Sequence, residues 1–193
     1  MADLLDDCFK GVHLENVNHC PNDDTGAGLS THLLYIPAAH METFTMPPKT
    51  NASTYEERIT IPTTGLTAAT GKGWKKIDLL VDENELTNAL VGNKGNKKLK
   101  VDLDVFIPGT RKKTVGFQDA HKNTPMIYAI KDSTGQTWII GNKINPAFFE
   151  TSENKTGKTF ENNSGITGKI SANASMLAYD GDLVVLSDTP VIP

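Results

Sequence analysis

From Lys98 to Val105 apolar and charged residues alternate, and Ile107 continues the apolar side. Leu99, Val101, Leu103, Val105 and Ile107 fall on one side, and Lys98, Lys100, Asp102 and Asp104 on the other. The pleat of a β-strand sends successive side chains to opposite faces, so this run is a strand with one buried and one wet face. A helix cannot bury that pattern, because its apolar positions recur at three- and four-residue spacings. Pro108-Gly109 ends the strand. The rest of the chain must supply sheet neighbours for it and a second layer for its apolar side.

Those neighbours are visible. His32–Pro37 (HLLYIP) is a candidate first strand, and Tyr55, Ile59 and Ile61 pattern a second over Thr54–Pro62. Trp74, Ile77, Leu79 and Val81 mark another. PMIYAIKD and QTWIIG, joined through Ser133-Thr134-Gly135, read as a hairpin. GITGKISANASMLAYDG and DLVVLSD form the last pair, turning at Asp180-Gly181. Within it Ile170, Ala172, Ala174, Met176 and Ala178 share one parity, a small apolar face where another sheet or subunit approaches closely. Helical signals are few. Leu86, Ala89 and Leu90 fit one helical turn, Val115–His121 fits a short helix despite Gly116, and Asn145–Phe149 fits a turn or bulge.

The expected class is mainly β: an antiparallel β-sandwich or partly closed barrel, with one or two short flanking helices and long loops. Residues 1–30, with Pro21, Gly26 and Gly28, read as an irregular N-terminal arm. Residues 31–193 read as a single domain, since no linker-like stretch or repeat divides them.

Composition narrows the function. The chain has 193 residues, with 19 Lys+Arg against 23 Asp+Glu and a formal charge of -4. That balance is poor for tight nucleic-acid binding, which depends on positive charge at phosphates, but suits a wall along which DNA slides without sticking. No apolar run is long enough to span a membrane as a helix. The start, MADLLDDCFKG, lacks the basic region and apolar core of a signal peptide, which points to folding in a cytoplasm.

The residues with chemical potential fit ordinary structural roles. Cys8, His13, His19 and Cys20 are the donor types of a zinc site, but C-x₄-H-x₅-H-C departs from the usual paired spacing. Adjacent His19 and Cys20 also cannot both reach one ion with relaxed geometry. An ordinary arm is the simpler account, and a thiol nucleophile there lacks a positioned base. Asp102 and Asp104 share a wet face with Lys98 and Lys100, which reads as a solvated mixed-charge surface rather than a carboxylate pair. Gly92–Lys98 (GNKGNKK) lacks the closing Ser/Thr of a phosphate loop and precedes a strand. It reads as a hairpin connection able to reach a neighbouring subunit. Arg111–Lys113 suits an acidic partner. No enzyme activity, cofactor or metal is expected.

The stretches GNKKLKVDLDVFIPGT, PMIYAIKDSTGQTWIIG, NPAFFETSENKTG and GITGKISANASMLAYDG together resemble the tail tube proteins of long-tailed (siphovirus-like) bacteriophages, in the version found among phages of Bacteroidetes hosts. The resemblance covers about Trp74 to Leu186 and contains no catalytic motif. It implies a structural virion protein, assembled in the bacterial cytoplasm and resident in the virion tail. Six copies would close a ring, and stacked rings would form a hollow conduit for double-stranded DNA, joined to other phage tail proteins. It implies inter-subunit contacts at Gly92, Asn93, Lys94, Gly95 and Asn96, and in the polar loop Thr151–Ser164 at Thr151, Asn154, Lys155, Asn162 and Asn163. It also implies lumen-facing charge at Asp102 and Asp104. Two other classes fit the same β-rich pattern: another virion component (tail terminator, head-completion or capsid-decoration protein), and a carbohydrate- or surface-binding sandwich module.

Overall fold

The alternating run is strand β7, and the chain before it already supplies six others. The computed structural model describes residues 14–18, 26–49 and 52–186. In chain order these form β1 (Leu29–Pro37), a 3-10 turn at Ala38–His40, β2 (Met41–Phe44), β3 (Thr60–Ile61), β4 (Leu66–Ala68), β5 (Lys75–Asp78), β6 (Glu85–Val91) and β7 (Lys98–Pro108). Helix α1 (Lys112–His121) follows, then β8 (Met126–Asp132), β9 (Thr137–Ile140), β10 (Phe148–Lys155), β11 (Gly165–Ala172) and β12 (Leu177–Tyr179). The cysteine and histidine cluster of the arm (Cys8, His13, His19, Cys20) lies outside the described residues.

Two sheets pack face to face. One has six strands in the order β3-β12-β9-β8-β1-β5, and the other has four in the order β10-β11-β7-β6. A small β2-β4 pair makes a third layer. Pairing between strands is antiparallel except between β12 and β3, which run parallel, so the six-stranded sheet is mixed and the four-stranded one is wholly antiparallel. Neither sheet closes into a barrel.

Between the main sheets lies the first core. Val101, Leu103, Val105 and Ile107 of β7, with Ile166, Ile170 and Ala172 of β11, meet Leu33, Met126, Tyr128, Ile130 and Ile140. The second core covers the other side of the six-stranded sheet, where Ile36, Ile127, Ala129, Ile139, Leu177 and Tyr179 pack under Met41, Leu66 and Trp74. Strand β8 is therefore buried on both faces, which is why its sequence is a continuous apolar run and not an alternation. The β8–β9 hairpin turns on Asp132. Its Oδ1 accepts from Thr134 N at 2.9 Å, Thr134 Oγ1 at 2.6 Å and Gln136 N at 3.0 Å, and its Oδ2 accepts from the Trp138 indole at 2.8 Å. Gly135 takes the positive φ of 89° that the turn requires.

Several local expectations change. Only Thr60–Ile61 of the Thr54–Pro62 run is strand. Thr54 Oγ1 accepts from Glu57 N at 3.1 Å while Glu57 Oε2 accepts from Ser53 N at 2.6 Å, a near capping box that winds residues 53–59 into turns. Leu86, Ala89 and Leu90 sit on strand β6, not a helical turn, because β7 offers them a full antiparallel partner from Glu85↔Asp104 to Val91↔Lys98. The loop expected at Thr151–Ser164 is strand as far as Lys155. The small-residue face at Ile170–Ala178 is split between β11 and β12, which belong to different sheets, so the sheet lying close to it is the chain's own. The expected helix near Val115–His121 is present as α1.

Candidate functional site

The four-stranded sheet holds the residues singled out from the sequence. Its outer face carries the residues that alternate with the buried set. Apart from half-buried Phe106, β7 presents Lys98, Lys100, Asp102 and Asp104, β11 presents Thr167, Lys169 and Ser171, and β10 presents Thr151, Glu153 and Lys155. Asp102 is the hub. It accepts from Ser171 Oγ at 2.7 Å and pairs with Lys100 and Lys169, each at 3.2 Å; Lys100 also reaches Glu150 at 3.4 Å. Partial burial alone would raise the Asp102 carboxyl, but the bonds from Ser171, Lys169 and Lys100 outweigh it and hold it below the usual carboxylate range. Lys100 is raised in turn, chiefly by its bond to Asp102. Asp104 stands in register between Glu85 of β6 and Lys169 of β11. Four lysines (Lys98, Lys100, Lys155, Lys169) face five carboxylates (Glu85, Asp102, Asp104, Glu150, Glu153), so the face is polar and nearly balanced in charge.

The candidate contact residues separate to the two ends of this sheet. Gly92, Asn93, Lys94, Gly95 and Asn96 form the tip of the β6–β7 hairpin, where Asn96 N donates to Asn93 O at 2.9 Å. Every residue from Thr87 to Lys98 is exposed, so the hairpin projects past the core as an arm. Asn162 and Asn163 lie in the β10–β11 loop at the opposite, Pro108 end, where Gly109 N donates to Ser164 O at 2.8 Å. Asn162 Oδ1 holds that loop by accepting from Thr159 N and Thr159 Oγ1, both at 3.0 Å. Thr151, Asn154 and Lys155 are on β10; Asn154 Oδ1 accepts from Thr110 Oγ1 at 2.8 Å, and Lys155 pairs with Glu153 at 2.8 Å.

Both margins of the four-stranded sheet are long strands, β6 with seven residues and β10 with eight, and among the described residues no strand pairs with the outer side of either. The six-stranded sheet instead ends in β3, two residues, and β5, four residues. Short edges resist pairing with other chains, and long open ones invite it. The sequence reading missed this part of the site. Its only local trace is the Glu85–Val91 alternation, with Leu86 and Leu90 on the side opposite Thr87 and Ala89.

Helix α1 lies along β10. It buries no residue fully, starts with Arg111, Lys112 and Lys113 at the end where positive charge is unfavourable, and contains Gly116. What holds it is Phe117, edge-on to Tyr35 at 5.3 Å and to Phe149 at 5.9 Å, and Gln118, whose amide donates to Ser152 Oγ at 2.8 Å. Burial pushes His121 beside Phe117 below its usual range. Between α1 and β10 runs a groove of about 380 Å³ floored by Ile107, Phe117, Phe149 and Ile166.

Among the described residues no group of three or more His, Cys, Asp or Glu is placed to hold a metal ion, and no helix is long and apolar enough to cross a membrane. No protein-family model, no curated protein and no solved structure matches this chain.

Proposed function

We propose that this chain is a structural subunit that assembles through its four-stranded sheet into rings and then a tube, the tail tube of a long-tailed bacteriophage. The observation that carries the reading is the contrast between the sheets: the six-stranded one is short at its margins and carries a second core over β8, β9 and β12, whereas the four-stranded one has two long open margins and an uncovered polar face. Copies related by rotation keep their strand directions. Strand β6 runs antiparallel to β7, and β10 runs parallel to β7, so β6 of one copy meets β10 of the next antiparallel. The alternation continues from copy to copy until the sheet closes, and closure removes every edge.

The outer face of the four-stranded sheet then lines the lumen. Its nearly balanced charge, with lysines tied to carboxylates, offers DNA phosphates no patch of free positive charge. The hairpin arm and the β10–β11 loop lie at opposite ends of the sheet, which is where successive rings would stack. Six copies per ring, residence in the virion tail and assembly in the bacterial cytoplasm belong to the same reading. Negative-stain imaging and light scattering of concentrated purified protein test it. Hollow tubes or stacked rings of uniform width are expected. Single rings that never polymerise point instead to a terminator-like component, and a strictly monomeric protein overturns the assembly reading.

A further inference from the structure

The two open margins of the four-stranded sheet complement each other. We propose that β6 of one copy pairs with β10 of the next in a single register, with Leu90 seated in the groove beneath α1. The proposal rests on the assembly reading above and adds the side-chain partners. Strand β6 lies level with Lys98–Asp104 of β7, whereas β10, through β11, lies level with Asp102–Pro108. The margins are thus offset by four residues. Sliding the arriving β6 by those four residues lays the two strands side by side along their whole length. An even slide keeps each side chain on its own face.

That register matches three features of the two margins. Glu85 comes opposite Lys155, a pair of opposite charges. Val91, 40% exposed, comes opposite Phe148, 42% exposed, so each apolar side chain covers the other on the outer face. Leu90, 65% exposed on the inner face, comes opposite Phe149 and fills the apolar groove between α1 and β10. A slip of two residues one way sets Glu85 against Glu153, and a slip the other way sets Leu90 against Ser152. Both lose the match: the first sets like charges directly opposite each other, and the second takes Leu90 away from Phe149 and the groove. The arriving strand displaces one contact, the Gln118 amide on the Ser152 carbonyl at 3.3 Å.

The offset also has the size that closure needs. A rise of about 3.3 Å per residue over four residues, against four strands about 4.8 Å apart, inclines the strands by about 35°, which is the tilt of closed barrels. The stagger per copy equals the number of strands per copy, so this tilt holds whatever the number of copies in the ring.

Paired cysteines read the register directly. In a Cys8→Ser, Cys20→Ser background, Ala89→Cys with Thr151→Cys places thiols on directly opposed residues of neighbouring copies. Mild oxidation should give a ladder of covalent oligomers on a non-reducing gel. Ala89→Cys with Glu153→Cys, one diagonal away, should give at least tenfold less, because the Cα separation exceeds about 7 Å. Preferential cross-linking of the diagonal pair, or cross-linking of neither pair in variants that still assemble into tubes, overturns the register while leaving the assembly reading intact. Wild-type protein that stays monomeric overturns both. A second variant, Leu90→Asp, guards against misfolding of the cysteine forms. It should keep the monomer's denaturant midpoint and reduce the assembled fraction at least tenfold; unchanged assembly overturns the seating of Leu90.

Discussion

Ser171 donates its hydroxyl proton to Asp102 across the β7–β11 pair at 2.7 Å, on the face that the four-stranded sheet turns away from the core. Asp102 thereby gathers Ser171, Lys100 and Lys169 around one carboxylate and leaves neither lysine as a free cation. Replacing Asp102 and Asp104 together by lysine should lower stability by about 2 kcal/mol, since it removes the acceptor shared by Ser171, Lys100 and Lys169 and sets like charges beside the two lysines. It should turn a near-neutral face positive. Filter binding to double-stranded DNA at low salt should show weak, salt-sensitive retention of the double variant and none of the wild type.

Asp132 makes the β8–β9 hairpin acid-sensitive. Partial burial would raise its carboxyl, but hydrogen bonds from Thr134, Trp138 and Gln136 outweigh that and hold it below the usual range. A carboxylate depressed in the folded state contributes stability that is present above its unfolded pKa and is lost as pH falls through the folded value. The urea midpoint should therefore decline on acidification below about pH 4. Asp132→Ala should cost about 2 kcal/mol near neutrality, discounted for its partial exposure, and should flatten the acid limb.

Tyr128 carries the opposite lesson. Its ring is fully buried against Phe149, while its hydroxyl has no hydrogen-bond partner among the described residues. Burial pushes the phenol well above its ordinary range. A buried donor without a partner is costly, so Tyr128→Phe should be neutral or stabilising by about 1 kcal/mol. A thermal melt that drops by several degrees would show that the hydroxyl has a partner in solution.

The arm tip separates stacking from ring closure. Val91 and Lys98 are the last opposed pair of the hairpin. Replacing Gly92–Lys97 by Asn-Gly joins them through a two-residue turn that suits the strand twist. The shortened protein should fold with unchanged stability, within about 0.5 kcal/mol for a surface change. It should still form rings, and the tubes seen by negative stain should be shorter or absent.

The alternation from Lys98 to Val105 determined one strand and its faces, because a period of two has only one structural solution, and Pro108-Gly109 determined where it ends. The Asp132–Gly135 turn was equally local, an acidic side chain bonding the next few amides with glycine at the positive φ. The Thr-x-x-Glu signal at Thr54–Glu57 was present too, and it overrode the apparent strand there. Nothing local could say that β8 is covered on both sides while β7 is covered on one, or that β6 and β10 are margins while β11 is interior. A strand is central or marginal according to what the rest of the chain places beside it. Leu90 shows the difference: its apolar character and its face are written in the alternation of Glu85–Val91, but its exposure at the free edge of a projecting arm was decided only when the tertiary structure placed no fifth strand of the described residues beside it.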